Sequence, residues 1–190
     1  MNQTIKSTTV IAVNYKGKIA IGADGQATLG NVVAKNNVKK LRKLLGGKII
    51  VGFAGSTADA FSLLDHLERK IEQYPTNIER SLIELAKEWR TDRYLRKLEA
   101  MMIVVNNKKI FIVSGSGDVL EPDNHIAAIG SGANYAQSSA MAYMQIFENK
   151  ENETEQQKTQ MAQEIVKNSL RIAGKLCIYT NNNITIETPL

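Results

Sequence analysis

The order in which two hydrophobic periodicities succeed one another constrains this chain more than any motif does. Runs dense in β-branched residues occur at 8–13, 18–23, 48–53, 100–105 and 109–113, with a shorter one at 126–129, and each predicts a strand. Asn14-Tyr15-Lys16-Gly17 separates the first two and Asn106-Asn107 the pair at 100–113, both suited to hairpin turns. Between these strand blocks the apolar spacing changes to that of helices. Ser56 is placed to cap a helix carrying Phe61, Leu64, Leu67 and Ile71 on one face, which Pro75 ends. Asn77 is placed to cap a second helix, with Ile78, Leu82, Leu85 and Trp89, running to about Leu98. A third helix, at 134–147, is rich in small residues, and the polar stretch 148–158 predicts an exposed loop. A fourth helix is expected to reach Ala173 and stop at Gly174, followed by a closing hairpin at 176–180 and 184–187. Strands, two helices, strands, two helices, strands is not βαβ alternation, and no repeat period is visible. The order fits two antiparallel sheets with helix pairs outside, a layered α+β sandwich.

The 190 residues suit one domain with a core large enough to need no staple. A single cysteine, Cys177, rules out an intramolecular disulfide, and with only His66 and His125 a zinc cage of Cys and His is ruled out too. No apolar run is long enough to span a bilayer, and MNQTIKS is too short and polar for a secretory signal, so a cytoplasmic protein is expected. The formal charge of +5 is uneven: residues 1–58 hold nine basic side chains and one acid, Asp24. Such a segment suits an anionic partner such as nucleic acid, but KKLRK has no interleaved aromatic residues to stack on bases, and a solvated basic face is the simpler reading. A lone carboxylate among nine cations is expected to be ionised and paired.

Several chemistries are missing. There is no phosphate-binding loop: Gly52-Phe53-Ala54-Gly55 lacks the lysine and the spacing, and Leu120 and Tyr135 stand where the two G-x-G turns would need a third glycine. No G-x-S-x-G elbow occurs, and Cys177, with no histidine close in sequence, reads as a buried, inert thiol in an apolar strand. What remains is a nucleophile that needs no histidine. A chain-terminal threonine can use its own α-amine as general base, and a nearby lysine lowers that amine's pKa by like-charge repulsion. Thr8-Thr9 opening a strand, Asp24 ending the next and the lysines after it supply such parts, although Thr-Thr in a strand is by itself ordinary β propensity.

TTVIAV, GADGQATLGN, NVKKLRKL, VGFAGSTADAF, ELAKEWRTDRYLRKLEAMM, AIGSGANYA and AGKLCIYTN, spread over 8–182, resemble the proteolytic subunits of bacterial HslVU (ClpQY) proteases. The resemblance implies a proteasome-β-like N-terminal nucleophile hydrolase, with a four-layer αββα sandwich over 8–190 and a removable leader at 1–7. It implies Thr8 as nucleophile, Lys40 as catalytic lysine with Asp24 orienting it, Gly52 at the oxyanion position and Ser131 near the nucleophile's amine. It also implies a sodium ion held by the backbone carbonyls of Gly174, Cys177 and Thr180, which suit a hard cation. As partners it implies the AAA+ unfoldase HslU (ClpY), eleven further copies of the chain in two stacked hexameric rings, and unfolded protein substrates, with ATP bound by the unfoldase. Adjacent lysines on an extended chain point to opposite sides, so Lys39 is the rival of Lys40. Many relatives begin Met-Thr-Thr, whereas here MNQTIKS precedes Thr8, so a free amine requires cleavage after Ser7. A leader never removed would make the chain an inactive scaffold subunit.

Overall fold

The computed structural model describes residues 5–6, 8–55, 57–98 and 100–190. In chain order come β1 (Ile5–Lys6), the hairpin β2 (Thr9–Tyr15) and β3 (Lys18–Ala23), the small hairpin β4 (Ala27–Leu29) and β5 (Val32–Lys35), then β6 (Leu41–Leu44) and β7 (Ile49–Gly55). Helices α1 (Thr57–Gln73) and α2 (Ile78–Thr91) follow, then β8 (Ala100–Val105), β9 (Ile110–Ser114), β10 (Val119–Leu120) and β11 (Ile126–Gly130). The chain closes with α3 (Ala133–Phe147), α4 (Glu155–Leu176) and β12 (Thr185–Glu187). Among the described residues no helix is long and apolar enough to cross a membrane.

Two antiparallel sheets, β10-β9-β8-β7-β6 and β11-β2-β3-β12, stack face to face, and a helix pair covers each outer face. The strand sequences dictate this layering because the central strands are apolar on both faces. In β2, Val10 and Ala12 pack between the sheets against Ile50, Ile103 and Ile129, while Ile11 and Val13 face Ala136, Ala140, Val166 and Leu170 of α3 and α4. In β7 and β8, Val51, Phe53, Met102 and Val104 turn outward to meet Leu63, Leu67, Leu85 and Trp89 of α1 and α2. The expected α+β sandwich of four layers is therefore the observed one. The small residues of α3 serve close packing, since Ala136 and Ala140 are fully buried.

Several local expectations hold. The β2–β3 hairpin turns through Lys16 (φ 48) and Gly17 (φ 86), and the Asn77 side chain caps α2 by accepting from the Arg80 N–H. Ser56 lies outside the described residues. Other expectations need correction. The second helix ends at Thr91, where Asp92 is extended and accepts from the N–H groups of Tyr94 and Leu95 to start a separate turn. Residues 155–158 are the first turn of α4, closed by a reciprocal capping box between Thr154 and Gln157. Helix α4 runs through Gly174 to Leu176; a Cβ at 174 would collide with Asn182, so this glycine admits a loop and does not stop the helix. Cys177 caps that helix, still buried, and the closing hairpin is absent: only Thr185–Glu187 is a strand, and it pairs with β3.

Candidate active site

Asp24 follows β3 directly, and the β2–β3 pairing lays the end of that strand beside Thr9. Its carboxylate is buried, 1% exposed, and accepts four hydrogen bonds. Oδ1 takes the Thr9 N–H at 2.8 Å and the Lys40 ammonium at 2.7 Å; Oδ2 takes the N–H groups of Gln26 at 2.9 Å and Asn181 at 3.2 Å. Such a carboxylate has its lone pairs occupied and little freedom to turn. Lys40 is buried with it, whereas Lys39 is exposed, so the paired lysine is Lys40. Burial pushes the Lys40 ammonium below the ordinary lysine range, and the Asp24 charge and hydrogen bond pull it partly back.

Thr8 immediately precedes β2 and is 4% exposed. Its carbonyl accepts the Ser131 N–H at 2.8 Å. Gly130 (φ 92) makes that approach feasible, because a Cβ there would sit on the Thr8 carbonyl. Ser131 thus meets Thr8 through its backbone. Thr9 is anchored as well: its Oγ1 accepts the Gly132 N–H at 3.0 Å and lies 2.7 Å from Thr180 Oγ1. Thr8 and Lys40 both line a pocket walled by Ala27, Val38, Phe53 and Gly55.

Gly52 is not part of that wall, and its expected place at the oxyanion position is corrected by the direction of its N–H. Phe53 donates sideways to the Lys40 carbonyl across the β6 edge of β7. Backbone groups alternate sides along a strand, so the N–H of Gly52 points the other way, into the ladder with β8. A side chain at 52 would strike Val10 and Ile21 between the sheets, which explains the glycine by packing. Gly55, two residues after Phe53, lines the pocket with φ 119, and by the same alternation its N–H points off the β6 edge of β7, the side on which Thr8 and Lys40 line the pocket with it. The two glycines of Gly52-Phe53-Ala54-Gly55 were visible in the sequence; only strand pairing tells them apart.

A model of the family described as proteasome subunit matches residues 5–188. The ATP-dependent protease subunit HslV of Cytophaga hutchinsonii is 57% identical over 186 residues, covering 98% of each chain. That of Amoebophilus asiaticus is 56% identical over 183 residues, covering 96% of this chain and 97% of the relative. The chain belongs to the HslV family of proteasome subunits. The crystal structure of eukaryotic HslV from Trypanosoma brucei superposes with a TM-score of 0.83 at 37% identity, over 95% of this chain and 98% of that one. HslV-family membership makes this chain a protease subunit, and the proteasome-like sandwich is its fold.

The remaining site residues of the HslV reading lie at the end of α4. Gly174 is in the last turn, Cys177 is the C-cap, and the Cys177 carbonyl accepts the Thr180 N–H at 3.1 Å. A carbonyl has two lone pairs, and this one keeps one beyond that bond. The end of a helix is where carbonyls lack partners and the dipole is negative, so the donor set suits a small hard cation. His66 and His125 are elsewhere: His66 meets Glu88 on the helical layer, and His125 (φ 58) lines a separate depression with Asp123 and Met144.

Proposed function

We propose that this HslV-family chain is a threonine-type N-terminal nucleophile endopeptidase in which Thr8 Oγ attacks the peptide carbonyl. The observation that carries the reading is the buried Asp24, which three backbone N–H groups fix and which holds the Lys40 ammonium at the wall of the pocket that Thr8 also lines. As long as residue 7 is attached, the Thr8 nitrogen is an amide and cannot act as base. Removal of 1–7 leaves the domain 8–190 with an α-amine at Thr8. The Lys40 charge lowers the pKa of that amine, so it accepts the Oγ proton as the C–O bond forms. The oxyanion is held by the Gly55 N–H, which takes the role first expected of Gly52. The amine then protonates the departing nitrogen, and water attacks the acyl ester with the amine again as base. Ser131 contributes by pinning the Thr8 carbonyl through its N–H.

Leader removal can use the same nucleophile without the amine as base. Thr8 Oγ attacks the Ser7 carbonyl, the peptide bond breaks with its nitrogen taking the proton, and water hydrolyses the ester; trimming by host peptidases is the other route. Strand β1 runs antiparallel to β4, with Lys6 opposite Thr28, so residues 5–6 lie along that strand. The assembly proposed is two stacked hexameric rings in the cytoplasm, fed with unfolded protein by an ATP-driven HslU (ClpY) partner; that the relatives are ATP-dependent protease subunits supports an ATPase partner. Carbonyls of Gly174, Cys177 and Thr180 would hold a sodium ion that supplies a fixed positive charge at the end of α4.

The testing experiment is intact mass with N-terminal sequencing of protein made in its own host, followed by a peptidase assay. A chain starting at Thr8 that cleaves peptides supports the reading. A chain that keeps residue 1 in the assembled ring and is inert replaces it with the scaffold reading.

A further inference from the structure

The turn after α4 touches the Asp24 segment at a residue that the proposed mechanism leaves unused. Asn181 donates its own N–H to Asp24 Oδ2 at 3.2 Å, and its side chain is hydrogen-bonded as well. Asn181 Oδ1 accepts the Gly25 N–H at 3.1 Å and the Asn183 N–H at 3.0 Å, while Nδ2 donates to the Asn36 carbonyl at 3.0 Å. One amide therefore ties together three chain segments: the residue after Asp24, the loop leading to Lys40, and the turn itself. The neighbouring residue fixes the same turn from the other side, since Thr180 Oγ1 meets Thr9 Oγ1. Asn183 makes a comparison possible. Its Nδ2 also donates to the Asn36 carbonyl, at 2.7 Å, but its side chain makes no bond to the Asp24 segment.

We infer that Asn181 is a positioning residue for the Asp24–Lys40 pair, holding the carboxylate in the one orientation that presents Oδ1 to both the Thr9 N–H and the Lys40 ammonium. This rests on the reading of Lys40 as the group that tunes the nucleophile's amine. Without the Asn181 amide the Gly25 N–H loses its acceptor, the 181–183 turn loses its brace, and the fourth donor on Asp24 moves away. The carboxylate then gains a rotation that carries Lys40 with it. Displacements of this size near a reacting centre reduce turnover by about 10- to 100-fold without changing how substrate is held.

The test measures kcat and KM for a fluorogenic peptide on assembled, leader-free protein carrying Asn181→Ala, Asn183→Ala or Lys40→Ala. The expected result is a kcat loss of about 10- to 100-fold in Asn181→Ala with KM unchanged. Asn183→Ala should match the parent in both constants. The inference is overturned if Asn181→Ala turns over like the parent, if its loss is in KM and not in kcat, or if Asn183→Ala loses as much. A fully active Lys40→Ala would instead overturn the catalytic reading beneath it. Should Asn181→Ala not assemble, Asn181→Gln replaces it, because its longer side chain cannot set the amide oxygen on the Gly25 N–H from the same backbone position.

Discussion

Two lysine–carboxylate contacts of equal length mean different things in this molecule. Lys40 and Asp24 meet at 2.7 Å in the interior, and Lys158 and Glu155 meet at 2.7 Å on the surface at the start of α4, where Lys18 joins them at 2.9 Å. The surface carboxylate is held down to a pKa of about 2, chiefly by its hydrogen bonds to Lys158 and Lys18. In the interior pair the larger effect runs the other way: burial lowers the lysine despite its partner. Solvent screens and entropy erodes the outer contact, so distance alone says little about its worth. The inner pair has lost its water, and breaking it leaves a charge with nowhere to go.

The largest difference should appear when each pair is cut. Thr8→Ala should abolish peptide hydrolysis while leaving ring assembly intact, and residual turnover near that of the parent would point to another nucleophile. Lys40→Ala should lose about 10²- to 10⁴-fold in kcat, as removal of a group that tunes a general base does, and Lys158→Ala should lose none. Lys39→Ala should also stay active; the reverse result would move the site to the adjacent residue. Lys40→Ala should in addition cost stability, toward the lower end of about 3–5 kcal/mol because three backbone donors remain on Asp24, measurable by denaturant unfolding.

A smaller effect separates the two glycines of β7. Gly52→Ala should destabilise by about 1–3 kcal/mol through crowding of Val10 and Ile21, with stability as the primary loss. Substituting Gly55 should affect turnover first, because its N–H faces the pocket. Equal kinetic losses at both positions would refute the assignment of the oxyanion donor by strand side. The smallest effects are titrations of opposite sign. Glu155 is depressed below its ordinary 4.5, so its contribution is complete above that value and is lost as pH falls toward about 2. A melting-temperature gap between the parent and Glu155→Gln should close over that interval. Lys40 is depressed below 10.5, so the folded state binds its proton less tightly than the unfolded one, and this group's contribution rises as pH climbs toward 10.5. The gap between the parent and Lys40→Met should therefore shift in the parent's favour with alkali.

The four layers were legible because burial on both faces leaves its mark on each central strand: Val10 and Ile11 are neighbours in sequence and belong to different cores. The short strands β4, β5, β6 and β10 were not read, since two to four residues carry no period, and β5 is exposed along its whole length. The closing segment misled for a related reason. LCIYT has strand composition, yet α4 extends into it and only the turn at Cys177–Thr180 follows. Gly174 looked like a stop because composition does not show the Asn182 side chain pressing against it.

What the sequence determined by itself was the layering and the expectation that the one early acid is paired, which follow from local patterning and charge scarcity; Thr8 and Lys40 were singled out by the resemblance of whole sequence blocks to HslVU subunits. Tertiary structure alone decided which of two adjacent lysines is buried, which of two glycines aims its N–H at the pocket, and that Asn181 lies 157 positions along the chain from the carboxylate it helps to hold. The reason is directional. Hydrophobicity is a property a residue carries with it, whereas the direction of a hydrogen bond exists only once two distant segments have been brought into register.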